Sequence, residues 1–181
     1  MSLIAGNLAV VQQVLDSMNI GWGVCAGAAA HLYGQRRPIN DVDILVAPGS
    51  LNQVSAALQR GQKAVQFDGG RILWRGIKLF DDVSVRQGGT VYPFTLDPAM
   101  QARLQRKPLL GSKVNVLSPE DILVQKLLLN RGENEGKFDI ADAEGMIKRQ
   151  TFDLEYLGER LAAARATDLL RPRLAERGIE V

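Results

Sequence analysis

Cysteine, histidine, net charge and long apolar runs are all scarce in this chain of 181 residues. The single cysteine, Cys25, cannot form an internal disulfide and offers no cysteine-based metal cluster, which favours a reducing compartment. The formal net charge of +2 implies no strong overall field, so nucleic-acid binding would need a local basic patch. No apolar run reaches the ~18 residues of a membrane helix, and the opening residues lack a signal-peptide pattern. We therefore expect a cytoplasmic protein.

Apolar residues are abundant enough for a proper core, at 46% of the chain against 23% charged residues. In the first 60 residues, apolar spacing and turn residues predict five elements. These are a helix over 3–19, a strand at "GWGVC", a short helix over 27–33 closed by Gly34, a strand at "VDILV" and a helix over 50–60.

Three further strands are predicted at "KAVQFD", "RILWRGIKL" and "DVSVRQ". Ser118 and Pro119 then form a strong helix start, a second helix is expected from Lys137, and two more are expected within 152–177. The fold class is therefore α+β, a small mixed sheet flanked by helices. We expect a core over 1–117 and a helical C-terminal portion over 118–181 packed on it.

Two carboxylates lie at the start of the strand "VDILV". Side chains alternate between the faces of a strand, so Asp41 and Asp43 share one face about 6.6 Å apart along it. Oxygen ligands so placed suit Mg²⁺ or Mn²⁺, which also bind phosphate oxygens. In "IKLFDDVSV" the alternation places Asp82, rather than Asp81, on the matching polar face as a third ligand, unless a bulge reverses the choice.

Small residues precede these carboxylates. Gly27 and Ala28 open an alanine-rich helix, where free amides and the helix dipole favour a phosphate. The sequence thus predicts a phosphate site beside a metal site.

The stretch "AGAAAHLYGQRRPINDVDIL" resembles the nucleotidyltransferases of the DNA polymerase β-like superfamily, especially the minimal and abortive-infection-type bacterial members. In that resemblance Asp41 and Asp43 match the metal-binding pair and Asp82 matches the third carboxylate. Gly34 and Arg37 match the glycine and arginine between the two motifs, and Arg37 lies next to the predicted phosphate site. The resemblance implies a nucleoside triphosphate (NTP) as substrate and a divalent cation as cofactor.

A second, weaker match is "SPEDILVQKLLLNRGENEGKFDIADAEGMI", in which Lys126, Asp139 and Asp142 fall on family positions. A charged side chain in so apolar a run is costly unless it reaches a cleft, where Lys126 would bind the triphosphate. A lysine whose stem packs on the core while its ammonium reaches solvent would give the same sequence pattern. Asp139 and Asp142 are better explained by structural pairing, with Lys137 or Arg131 as partners.

The leading hypothesis is a Mg²⁺-dependent nucleotidyltransferase in which Asp41, Asp43 and Asp82 are catalytic and hold metal, while Gly27, Ala28, Arg37 and Lys126 bind the nucleotide. The resemblance offers tRNA, a protein or a small alcohol as acceptor, and an antitoxin-like protein as a further partner. The family usually has Gly-Gly or Gly-Ser at the phosphate turn, where this chain has Ala26-Gly27, or Gly27-Ala28 if the register is moved by one. The alternatives are a catalytically inactive nucleotide- or partner-binding module and, third, a phosphate-ester hydrolase.

Overall fold

The computed structural model describes residues 3–181, so the predicted core over 1–117 is seen from residue 3 onward. The helices are α1 Leu3–Met18, α2 Ala26–Tyr33, α3 Leu51–Gly61, α4 Pro98–Ala102, α5 Pro119–Leu129, α6 Asp139–Ile147, α7 Leu154–Ala163 and α8 Thr167–Ala175, with a 3₁₀ turn at Glu133–Glu135. The strands are β1 Trp22–Cys25, β2 Val42–Val46, β3 Gln66–Phe67, β4 Ile72–Trp74, β5 Ile77–Phe80, β6 Val85–Gln87, β7 Thr90–Tyr92, β8 Gln105–Leu109 and β9 Ser112–Val116.

Seven of the strands in the described chain form one sheet in the order β3-β4-β5-β2-β1-β9-β8, and β6 and β7 form a separate hairpin. The pairs β2·β5 and β1·β9 are parallel, and the other pairs of the large sheet are antiparallel, so the sheet is mixed. The predicted fold class, a mixed sheet flanked by helices, is confirmed. The division between 117 and 118 stays a prediction.

Most elements predicted from the sequence lie where the pattern placed them, but "RILWRGIKL" is two strands instead of one. Arg75 and Gly76 both have positive φ, as a two-residue hairpin turn requires, so the chain reverses between β4 and β5. No element is predicted for residues 90–117 from the sequence, and this segment contains β7, α4, β8 and β9. A second such turn, at Leu110 and Gly111, joins β8 to β9.

Helix α5 lies inside the protein, because ten of its 11 residues are buried. It contacts α2, α6, α7 and α8, which explains why its sequence is apolar nearly all round. Ser118 caps its first turn by accepting the Asp121 N–H, as its sequence predicts. A consequence is that the polar side chains of α5 must find partners within the protein.

Asp121 is one such buried polar side chain of α5, and three neighbouring side chains contact its carboxylate. Its carboxylate accepts hydrogen bonds from Ser118 Oγ at 2.8 Å and from the Tyr156 hydroxyl at 3.2 Å, and lies 2.9 Å from Arg160 Nε. Arg160 also donates to Asp97 at 2.7 Å, which ties α7 to the start of α4. Burial raises the pKa of Asp121 to about 6, even though Arg160 opposes the shift.

Among residues 3–181 there is no helix both long and apolar enough to cross a membrane.

Candidate nucleotide-binding cleft

A polar cavity of about 490 Å³ lies over one end of β2 and β5, beside the start of α2 and the segment that follows α5. Its charged lining residues are Arg37, Asp41, Asp43, Arg71, Lys78, Lys126, Arg131, Lys137 and Asp139. Six of these nine side chains are basic, so the cavity favours an anionic ligand.

Asp43 on β2 and Asp41, one residue before its start, both line this cavity, as the alternation predicts. The opposite face carries Val42, Ile44 and Val46, which are all fully buried in the core. This burial fixes the register of β2, because a slip of one residue would place the aspartates in the core.

A lysine on the neighbouring strand forms an ion pair with one of these carboxylates. Lys78 on β5 is the register partner of Asp43 on β2, and its Nζ donates to Asp41 Oδ2 at 2.5 Å. Both members of the ion pair are partly exposed, with side-chain exposures of 39% for Lys78 and 45% for Asp41. The bond to Asp41 raises the pKa of Lys78, so the ammonium stays charged.

Asp82 does not join the pair, contrary to the sequence-based prediction. The strand ends at Phe80, so the alternation that places Asp82 on the polar face does not extend that far. Asp82 is exposed, its carboxylate accepts the N–H of Ser84 at 2.7 Å, and it does not line the cavity. The neighbouring Asp81 accepts the N–H of Gly49. Both carboxylates therefore accept hydrogen bonds from backbone N–H groups in loops.

Asp43 is the more deeply placed member of the pair. Burial raises its carboxyl pKa, and the negative charge of Asp41 raises it further, while the positive charges of Lys78, Lys126 and Arg37 oppose the change. A carboxylate with a raised pKa is a better proton acceptor near neutral pH than an ordinary aspartate.

Lys126 belongs to a chain of alternating charges, most of which lines the cavity. Its buried ammonium lies 2.9 Å from Asp139 Oδ1 and 2.8 Å from Asp142 Oδ2. Arg37 makes two bonds of 3.2 Å to Asp142, and Arg131 Nε lies 2.7 Å from Asp139. The predicted pairing of Asp139 with Arg131 is therefore present. Because the Lys126 ammonium is bonded to two aspartates, it joins α5 to α6. It is therefore not free to bind a triphosphate, as the sequence-based prediction required.

The predicted phosphate turn is only partly open to the cavity. Gly27 lines it, whereas Ala28 is buried and does not. Ala26 has a φ of 52° and its N–H donates to Gln125 Oε1 at 3.0 Å, so this amide is already used. A Cβ on Gly27 would lie 2.5 Å from Arg37 Nη2. The glycine therefore makes room for Arg37 beside the helix start.

A second, more apolar cavity of about 310 Å³ adjoins the first and shares five lining residues with it, namely Ala26, Asp43, Phe80, Leu129 and Arg131. Val83 adds to the apolar lining, and Cys25 also lines this cavity. Burial raises the pKa of the Cys25 thiol, so this group is an uncharged part of the wall. Asp43 thus stands between a cationic compartment and an apolar one.

The arrangement of side chains in the cleft does not match the predicted metal centre of three carboxylates. Within residues 3–181, no three acidic, histidine or cysteine side chains lie together in a way that could hold a metal ion. Asp41 is bonded to Lys78, and Asp82 is outside the cleft. We therefore derive no chemical step through a metal ion.

The sequence-based prediction overlooked Lys78, Phe80 and Arg131 as lining residues. A signal existed for the first two, because the alternation in "IKLFDDVSV" places them on the polar face of β5. Arg131 lies in a loop, and only its contact with Asp139 places it at the cavity.

Comparison with known proteins identifies the fold. No family model matches the sequence, and no curated protein is a significant match to it. The structure is similar to that of ANT(2'')-Ia in complex with adenylyl-2''-tobramycin, with a TM-score of 0.61, 12% identity and coverage of 92% of this chain and 99% of that chain.

Two other solved structures are also similar. The lincomycin-bound lincosamide antibiotic adenylyltransferase LnuA has a TM-score of 0.51 and 18% identity, over 78% of this chain and 96% of that chain. A candidate nucleotidyltransferase from Thermotoga maritima has a TM-score of 0.52 and 19% identity, over 72% of this chain and 87% of that chain. Sequence identities this low establish a shared fold and no shared activity. The chain therefore has the fold of the nucleotidyltransferases.

Proposed function

We propose that this protein transfers a nucleotidyl group from an NTP to an acceptor hydroxyl or phosphate. The observation that carries the proposal is the position of Asp41 and Asp43. They line a mainly cationic cavity, beside Gly27, on a nucleotidyltransferase fold. A cavity of about 490 Å³ is within the size range of small-ligand sites.

Asp43 is the best candidate for the general base. Its pKa is raised, and it lies where the two compartments meet, so it can accept the proton of an acceptor hydroxyl. The acceptor oxygen then forms a bond to the α-phosphorus, and the bond from that phosphorus to pyrophosphate breaks. Arg71, Lys78 and Lys137 line the cavity and would offset charge on the leaving pyrophosphate.

The predicted requirement for Mg²⁺ or Mn²⁺ is a separate matter from the proton transfer. For Asp41 Oδ2 to bind an ion, it would have to leave Lys78. Transfer assays in Mg²⁺, in Mn²⁺ and in EDTA test the requirement directly.

For the acceptor, a small alcohol is favoured over tRNA or a protein. The apolar cavity beside Asp43 is about 310 Å³, a volume suited to part of a small molecule. ANT(2'')-Ia is bound to an adenylylated antibiotic and LnuA to lincomycin, and both structures have TM-scores above 0.5. The antitoxin-like partner gains no further support and stays a sequence-based prediction.

The test is incubation of the protein with each α-³²P-labelled NTP and with tobramycin, lincomycin, total tRNA or a cell protein extract. We expect label to move to a small molecule, and Asp43→Asn to abolish the transfer. Binding of NTP without any transfer would support the inactive nucleotide-binding module instead. Release of the nucleoside monophosphate alone would support the hydrolase.

A further inference from the structure

Lys78 occupies the position on β5 where a further carboxylate would complete the site around Asp41 and Asp43. It is the register partner of Asp43, it bonds to Asp41, and it lines the same cavity. A lysine at this point brings a permanent positive charge to the two carboxylates. Its charge thus compensates part of theirs, which is the electrostatic task of a bound cation.

The remaining charges of the cavity favour an anion with several negative groups. Lys126, Arg37 and Arg131 are bonded to Asp139 and Asp142, so they form part of the wall. Arg71, Lys78 and Lys137 also line the cavity and lie outside this set of ion pairs, and Arg71 pairs with the exposed Asp68.

The bond between Lys78 and Asp41 leaves the lysine able to reach a ligand. Both side chains are partly exposed, and exposed ion pairs contribute little stability, so a phosphate can compete for the ammonium. The ammonium has three N–H donors and can therefore bond to Asp41 and to a phosphate oxygen together.

We propose that Lys78 serves as a built-in counter-cation of this cleft, so that the triphosphate of a nucleotide binds without a divalent metal ion. The inference rests on the proposed function, since it assumes that the ligand of the cleft is an NTP. It concerns the binding step and assigns the lysine a direct contact with the triphosphate.

The experiment is isothermal titration calorimetry of the full chain with ATP and with inorganic triphosphate, each in EDTA and in Mg²⁺. We expect wild type to bind both probes in EDTA. Lys78→Met should weaken binding in EDTA by about tenfold or more, the effect expected for loss of one charged contact. In Mg²⁺ the loss should be smaller, because the freed Asp41 and Asp43 can then bind the ion.

Two further variants control the result. Lys113→Met removes an exposed lysine on β9 that does not line the cleft, and should bind as wild type does. Lys78→Arg keeps the charge and should retain binding in EDTA, which separates loss of charge from loss of fold. Thermal melting of each variant verifies that it is folded.

The proposal is overturned if wild type binds the probes only in Mg²⁺, or if folded Lys78→Met binds as well as wild type in EDTA. Lysine-dependent binding in EDTA without nucleotidyl transfer would support the inference and defeat the proposed function. Nucleotidyl transfer together with strictly Mg²⁺-dependent binding would support the proposed function and overturn the inference about Lys78. Absence of binding in both buffers would defeat both.

Discussion

Arg37 and Asp142 are 105 residues apart in the sequence and are joined by two hydrogen bonds of 3.2 Å. The guanidinium also lies 5.0 Å from the centre of the Phe138 ring. This contact fixes the loop before β2 against α6, and it thereby closes one wall of the cleft. The arginine predicted to bind nucleotide is thus held in place by an aspartate that sequence analysis assigned to a structural role.

Removal of Asp142 should destabilise the protein strongly. Asp142→Ala leaves the buried ammonium of Lys126 with one carboxylate instead of two, and it releases Arg37. Loss of one partner from a buried ion pair typically costs about 3 kcal/mol. We expect a loss of that size in the free energy of unfolding, measured with urea. Glu176→Ala, which removes a 75% exposed partner of Arg177, should leave it unchanged.

Asp43 and Asp82 should respond in opposite ways to the same substitution. Asp43→Asn should abolish transfer, whereas Asp82→Asn should retain it, because Asp82 lies outside the cleft. A labelled-NTP assay on both variants decides the point, and loss of transfer in Asp82→Asn would restore the three-carboxylate hypothesis.

Asp43→Asn should also make the protein more stable at pH 7. Its raised carboxyl pKa means that the native state disfavours the charged form, so the neutral amide relieves a burial penalty. A gain of about 1 kcal/mol is typical of a single stabilising substitution. Thermal unfolding at pH 7 measures it, and a lower melting temperature than wild type would contradict the assignment.

Asp121 should give the stability of the protein a distinctive pH dependence. Its pKa is about 6 in the folded protein against 3.8 for an ordinary aspartate, so the folded state holds this proton more tightly. Its contribution to stability is therefore fully present below about pH 4 and is lost as the pH rises through 6, by an amount on the order of 3 kcal/mol.

The measurement is urea unfolding of wild type and Asp121→Asn between pH 4 and 7. The wild-type advantage over the variant should shrink as pH rises. Asp153→Asn is the control of opposite sign, because Arg103 lowers the pKa of the Asp153 carboxyl. Parallel pH profiles for wild type and Asp121→Asn would contradict the argument.

Gly27→Ala should disturb the cleft through Arg37. The added Cβ would lie 2.5 Å from Arg37 Nη2, so the guanidinium must move and lose its bonds to Asp142. We expect a loss of about 1 kcal/mol in stability, as for mild overpacking, together with weaker ATP binding. Gly61→Ala, also in a helix but with open space around its Cβ, should be neutral or slightly stabilising.

The site shows where sequence-based prediction works and where it stops. Asp41 and Asp43 could be predicted because both their face and their register follow from a strand with a period of two. Asp82 could not be placed, because its face depends on whether the strand continues past Phe80. The strand ends there, and the Asp82 carboxylate accepts a backbone N–H in the loop that follows. Lys126 was predicted to be at the cleft, but its two aspartate partners come from another helix.

The sequence by itself determined the order of most helices and strands, the buried face of β2 and the position of the two aspartates at the cleft. These follow from local periodicity and from capping residues, which act over a few positions along the chain. Only the tertiary structure decided that Lys78 meets Asp41, that Arg37 and Lys126 are held by Asp142, and that an apolar compartment adjoins Asp43. Such contacts join distant segments, and their distances depend on how β2, β5, α5 and α6 pack together.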